Sequence, residues 1–334
     1  MRFNPKAQID SSQVEVRSSG SSGSSSGGMF PFPTGGGAKM GGGLGLLVVI
    51  AFVLLSQCTG GGSTTSTGSG NDTVFPFPLP DAPAANAVDT AGVSGVPDCK
   101  TGEDANNNEE CALVASINSI QAFWNTALPQ FANVQYQSAK TVFFSGSTQT
   151  GCGGATAQVG PFYCPVDQTV YLDTTFFRDM LQNQLGAEGG EFAEAYVVGH
   201  EYGHHIQNLL GTMNKVRTQQ GATSDSVRLE LQADCYAGLW SRYATQVKDA
   251  NGEVFIEDLT QDDVARAIDA AQAVGDDRIQ KMSGGRVDPD QWTHGSAAAR
   301  EYWFSQGYDT GQLTACDTKV GQSGVTAEDL HLDG

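Results

Sequence analysis

The stretch GHEYGHHIQNLLG, residues 199–211, decides how the rest of the chain is read. His200, Glu201 and His204 form the pattern His-Glu-x-x-His inside a segment of helical character. An offset of four residues is about one helical turn, so both imidazoles project from one face and can share a tetrahedral Zn²⁺. Glu201 stands one step round from His200 and can reach a metal-bound water, which makes it the base by position. With five His and 13 Glu in 334 residues, chance supplies on the order of 0.003 such motifs. An ordinary polar helix face is a poor account of the pattern.

A catalytic zinc needs a third protein ligand and one open position. The metzincin arrangement would put Gly and His at positions 207 and 210, where this chain has Gln207 and Leu210. The other arrangement uses a Glu on a later helix, and SVRLELQADC (226–235) offers Glu230 with Asp234 one turn on. Glu230 is the expected third ligand. Asp234 is expected to accept the free ring N–H of His200, fixing its tautomer. A solvated acidic face is the alternative for this pair, but Leu229, Leu231, Ala233, Ala237 and Leu239 make the helix a packed one, where an unpaired carboxylate is costly. Glu188, Glu191 and Glu194 precede the motif on the same helix or its entry and cannot fold back to its middle. A donor to the developing oxyanion is also required. His294, in WTHGS, is the candidate, with Tyr202 and Tyr163 as alternatives and a structural cap as its other reading. His205 is expected to point away from the site, and His331 lies in the tail.

HEYGHHIQ, ELQADCYAG, VGPFYCPVDQTVYLD and THGSAAAREYWFSQGYDTG, together with the apolar segment described below and the N-terminal MRFNPKA, resemble the YpfJ-type neutral zinc metallopeptidases. The resemblance covers MRFNPKA and about residues 110–318, and the E-x-x-A-D form is similar to the wider gluzincin group. It implies a zincin-like fold, His200, His204 and Glu230 as zinc ligands, and Glu201 as catalytic acid/base. It does not supply a substrate.

Around this motif the periodicities describe an α+β body, mostly helical with a small β-sheet. CALVASINSIQAFWNTAL places Leu113, Ile117, Ile120 and Phe123 at helical spacing. KTVFFSG and TVYLD read as strands flanking Gly-rich turns. Helices are expected over about 174–185, 191–210, 226–247, 262–273 and 296–305, with Thr260 capping the fourth of these. A doubly wound sheet would need repeated strand and helix alternation, which is missing.

Composition shifts sharply upstream. Residues 1–40, with SSGSSGSSSGG, are expected to form a flexible cytoplasmic arm with no fold. Residues 41–57, GGGLGLLVVIAFVLLSQ, carry no charge and are expected to be a transmembrane signal anchor; a lipoprotein modification at Cys58 is a weaker alternative because Gln57 suits a lipobox poorly. Lys39 and the bases before it precede the span and no Lys or Arg returns until Lys100, so the positive-inside rule places the N-terminus in the cytoplasm and the body outside. Residues 58–104 read as a Gly/Ser/Pro-rich linker, and 105–334 as the metallopeptidase domain.

The net charge is −19, from 18 Lys+Arg against 37 Asp+Glu, which excludes nucleic-acid binding by phosphate neutralisation. None of the seven cysteines forms C-x-x-C, so a Cys-rich zinc site is not expected. Cys99 and Cys111 are close in sequence, as are Cys152 and Cys164, leaving Cys235 and Cys316 as a long-range pair. Spacing does not fix that connectivity, and buried reduced thiols are the alternative. The sequence thus points to a membrane-anchored zinc peptidase acting on peptide or protein substrates outside the cytoplasm. The competing readings are a noncatalytic extracytoplasmic zinc-containing binding protein and a cell-wall peptide hydrolase.

Overall fold

The computed structural model describes residues 1–18 and 98–332. Two short N-terminal strands, β1 (Arg2–Phe3) and β2 (Val14–Ser18), come first. They are followed by α1 (Gly102–Asn107) and the long α2 (Glu109–Ala132). Next come β3 (Lys140–Ser145), the hairpin β4 (Ser147–Thr150) and β5 (Gly153–Thr156), then β6 (Phe162–Cys164) and β7 (Thr169–Asp173). The remainder is mainly helical: α3 (Glu191–Leu209), α4 (Asp225–Tyr243), α5 (Gln261–Ala273), α6 (Asp276–Met282) and α7 (Ala297–Thr310), with β8 (Ile256–Asp258) between α4 and α5.

Local chemistry sets several boundaries. Thr260 accepts the Asp263 backbone N–H at 3.1 Å while Asp263 accepts that of Thr260 at 2.9 Å, a reciprocal cap that starts α5. Ser224 and Ser296 cap α4 and α7 in the same one-sided way. The helix expected over 174–185 is instead a π-type turn at Phe177–Gln182, where the Asn183 N–H reaches back to Arg178 and both Phe177 and Leu181 stay buried. Helix α6 was not anticipated because seven residues are too few for a periodic signal.

The main sheet has the order β2-β3-β7-β6, with β2, β3 and β7 parallel and β6 antiparallel to β7. The helices pack beside it around a core that includes Trp124, Tyr196, Tyr202, Trp240 and Phe304, each at most 1% exposed. Helices α4 and α7 touch backbone to backbone. A Cβ on Gly238 would lie 2.0 Å from the Phe304 carbonyl oxygen, and one on Gly307 would lie 2.0 Å from that of Cys235. Disulfides join Cys99 to Cys111, Cys152 to Cys164 and Cys235 to Cys316. The last links α4 to the segment after α7.

The N-terminal residues and the membrane assignment require correction. Residues 1–18 fall within the arm to which no fold is assigned from sequence, yet Phe3 is 0% exposed and β2 pairs along its whole length with β3. Their few apolar side chains need not build a core of their own, because they complete one formed by distant residues. Residues 98–104, read as linker, also join the body through Cys99 and α1. Among the described residues no helix is long and apolar enough to cross a membrane. That overturns the expected fold class with one preceding transmembrane helix, and with it the membrane partner and the single-pass localisation. The segment 41–57 on which that expectation rested lies outside the described residues, as do the rest of 19–40, Cys58 and residues 59–97 of the linker. The topology argues the same way: β2 precedes that segment and β3 follows it, and a single crossing between them would place two hydrogen-bonded strands on opposite sides of a bilayer.

Candidate metal centre

Helices α3 and α4 cross closely enough for their backbones to define the site. At Gly203, one residue before His204, an added Cβ would sit 3.0 Å from the Cα and carbonyl oxygen of Ala233. That approach brings Glu230 of α4 against the imidazole face of α3. His200 Nε2 lies 3.1 Å from Glu230 Oε2, and His204 Nε2 lies 3.4 Å from Glu230 Oε1. Ligand atoms of the three residues all fall within 4.8 Å of one another, the sole such group among the described residues.

The opposite ring nitrogens are held from behind. His200 Nδ1–H donates to Asp234 Oδ1 at 2.8 Å, and His204 Nδ1–H donates to Gln207 Oε1 at 2.9 Å. Gln207 is itself fixed by donating to the Leu229 carbonyl at 2.6 Å. Both Nε2 lone pairs are thereby directed to one place. Asp234 is 0% exposed and accepts further bonds from Tyr196 Oη at 2.6 Å, Arg300 Nε at 2.8 Å and Arg300 Nη2 at 2.9 Å.

The electrostatics follow from this packing. Burial pushes the Asp234 carboxyl up, but Arg300 and His200 outweigh it and hold the group below the usual carboxylate range. Burial pushes the Glu230 carboxyl up as well, and the two imidazoles overcome that and hold it well down. For His200, burial acts downward, yet Asp234 and Glu230 raise it to about 10. The field that draws a proton to this spot draws any cation, and a bound metal replaces that proton. Two imidazoles and one carboxylate, with oriented rings and converging donors, fit a catalytic zinc set of three protein ligands.

Glu201 lies 7% exposed beside this cluster, and burial raises its carboxyl above the ordinary value. It faces a cavity of about 290 Å³ that is also lined by His200, His204, Glu230, His294 and Arg300. His294 enters from the loop before α7. Its Nδ1 is 2.8 Å from Thr293 Oγ1 and 3.3 Å from Asp276 Oδ1, while Asp276 Oδ2 accepts the backbone N–H groups of Thr293, His294 and Gly295 at 2.7–3.0 Å. Burial pushes the His294 imidazole down, and Asp276 more than compensates, raising it. Nδ1 is thus the engaged ring nitrogen of a residue that lines the cavity.

The other candidates are placed elsewhere. Tyr163 lines the cavity, but its hydroxyl is engaged by His205 Nδ1 at 3.0 Å and Asn208 Nδ2 at 2.9 Å. Because His205 Nε2 donates to the Gln137 carbonyl at 2.6 Å, its Nδ1 accepts the hydrogen bond that the Tyr163 hydroxyl donates. Tyr202 is 0% exposed and bonded to Thr141 Oγ1 at 2.8 Å. His205 is fully buried on the sheet side, away from the ligand rings. Sequence reasoning missed Gln207, Arg300, Tyr196 and Asp276. Gln207 stands three residues after His204 and Tyr196 one turn before His200 on the same helix, so their spacing carried a signal; Arg300 and Asp276 reach the site only through tertiary packing.

The sequence profile of a protein family described as "Putative neutral zinc metallopeptidase" matches residues 1–319. The uncharacterized protein Rv2575 of Mycobacterium tuberculosis is 51% identical over 222 residues, covering 66% of this chain and 74% of that protein. The uncharacterized protein YpfJ of Escherichia coli is 44% identical over 220 residues, covering 64% of this chain and 72% of its own length. No solved structure matches the chain.

Proposed function

The chain belongs to the neutral zinc metallopeptidase family, and on that premise we propose that it hydrolyses peptide bonds with His200, His204 and Glu230 holding the metal and Glu201 as general base. The observation that carries this reading is the convergence of three donor atoms, with both imidazoles oriented by acceptors behind them. A Zn²⁺ ion held there supplies Lewis-acid polarisation of the scissile carbonyl and lowers the pKa of water to around 7.

Glu201 takes a proton from the attacking water at its carboxylate and returns it to the leaving amine nitrogen. Its burial beside the cavity raises the carboxyl above its ordinary value, which makes it the stronger base for the first transfer. His294 Nε2 donates to the oxyanion, with Asp276 supporting the charged imidazole from the far side. Asp234 holds His200 in place, and Arg300 holds Asp234.

A noncatalytic zinc-binding role has no need of a buried carboxylate at position 201. The test compares the parent with Glu201→Gln on a peptide mixture and on peptidoglycan after zinc loading. Turnover of peptides by the parent and its loss in the variant, at unchanged zinc content, is the expected result. Equal turnover in both proteins would remove Glu201 from the mechanism, and cleavage confined to peptidoglycan would reassign the substrate to cell-wall peptides.

A further inference from the structure

Beyond the reacting groups, the cavity is walled by Phe162, Phe176, Leu185, Val197, Val274 and Ile279. Its volume of about 290 Å³ stands at the lower end of ligand pockets, which run from ~300 to 1,000 Å³, so it holds part of a peptide rather than a large folded surface. Val197 lies one turn before Glu201 on α3 and is 9% exposed, so this apolar wall begins directly beside the base.

The charged groups that reach the cavity already have partners. Arg300 is bonded through two nitrogens to Asp234, Glu230 lies against both imidazoles, and His294 is backed by Asp276. Glu201 is the base. No Lys or Asp is among the lining residues. A charged substrate side chain would therefore enter an apolar-walled space without a counter-charge, as would a peptide's terminal amine or carboxylate, and each is disfavoured there.

Resting on the peptidase reading, we infer that this cavity takes a bulky apolar side chain from an internal stretch of peptide and reads neither chain terminus. The substrate class is then an endopeptidase's: bonds beside Leu- or Phe-like residues in the interior of a chain. The charged groups able to pair with a terminus are committed, while the apolar wall adjoins the base.

Calorimetry on the full chain carrying Glu201→Gln, zinc-loaded, measures the affinity of short end-blocked peptides whose central residue is Leu, Phe, Asp or Lys. Leu and Phe peptides are expected to bind at least about tenfold more tightly than Asp and Lys peptides, and unblocking either end of the Leu peptide should change affinity by less than about threefold. Equal affinities, or a free terminus that tightens binding tenfold, overturn the inference. Adding Val197→Asp should shift preference toward Lys, and Phe176→Glu, at a partly exposed position, gives the same test if the first fails to fold. No shift in either folded variant also overturns it. Hydrolysis of the same peptides by the parent separates the two claims. Apolar-selective binding without cleavage removes the peptidase reading and leaves the pocket assignment; cleavage without apolar preference does the reverse.

Discussion

Asp234 and His200 are joined by a 2.8 Å hydrogen bond between two helices, and the same carboxylate is gripped by both Nε and Nη2 of Arg300 from a third. One buried group therefore couples the orientation of a ligand ring on α3 to the position of α7. Asp234→Asn keeps the size but replaces one acceptor oxygen with a donor facing either Arg300 or His200. Zinc affinity should fall by about 10- to 100-fold, read by competition with a chelator. Unchanged affinity would show that Asp234 does not orient the ring.

Gly203→Ala adds a methyl where the Ala233 backbone is 3.0 Å away. Helices α3 and α4 should part slightly, costing about 1–3 kcal/mol of stability and weakening zinc binding together. Denaturant midpoints and metal titration on one preparation check whether both move.

The Cys235–Cys316 bridge closes a separation of 81 residues directly after Asp234. On the loop-entropy relation its removal costs about 4.5 kcal/mol. Cys235→Ser with Cys316→Ser should lower the denaturant midpoint and lose zinc more readily. Zinc retention equal to the parent's would confine the bridge to a stability role.

Glu194, on α3, is raised from 4.5 to about 7, first by burial and then by the nearby carboxylates Glu109 and Glu191. A carboxyl with a raised folded-state pKa favours the fold while protonated. Its contribution is complete below about pH 4.5 and is lost as pH rises through about 7. Glu194→Gln should therefore stabilise the protein above pH 7 by about 1–2 kcal/mol after allowance for solvent screening, and do little at pH 4. Chemical denaturation at the two pH values measures the difference.

Phe3→Ala tests whether residues 1–18 belong to the folded body. A fully buried phenylalanine should cost about 3–5 kcal/mol, visible as a lowered thermal midpoint. An unchanged midpoint would return the N-terminal segment to the status of an independent arm.

Much of the site was legible because its information is local. The four-residue spacing of His200 and His204 is a property of any α-helix, and Glu201 follows from its neighbours. Glu230 and Asp234 were readable as a pair because they too are one turn apart on a helix, α4, whose apolar neighbours predicted packing. The core helices were equally plain, as in Glu109–Ala132, where apolar spacing marks the buried face.

What sequence alone could not carry was the company these residues keep. Arg300 lies 66 positions from Asp234 and 100 from His200, and nothing in its own segment marks it as their partner. Residues 1–18 look polar and Gly/Ser-adjacent in isolation, yet they complete a sheet whose other strands lie more than a hundred residues on. Periodicity and spacing report how a segment folds against its own axis. Which helix faces meet, which carboxylate backs which imidazole, and which strand the N-terminal segment pairs with depend on long-range contacts, and only the tertiary structure decided those.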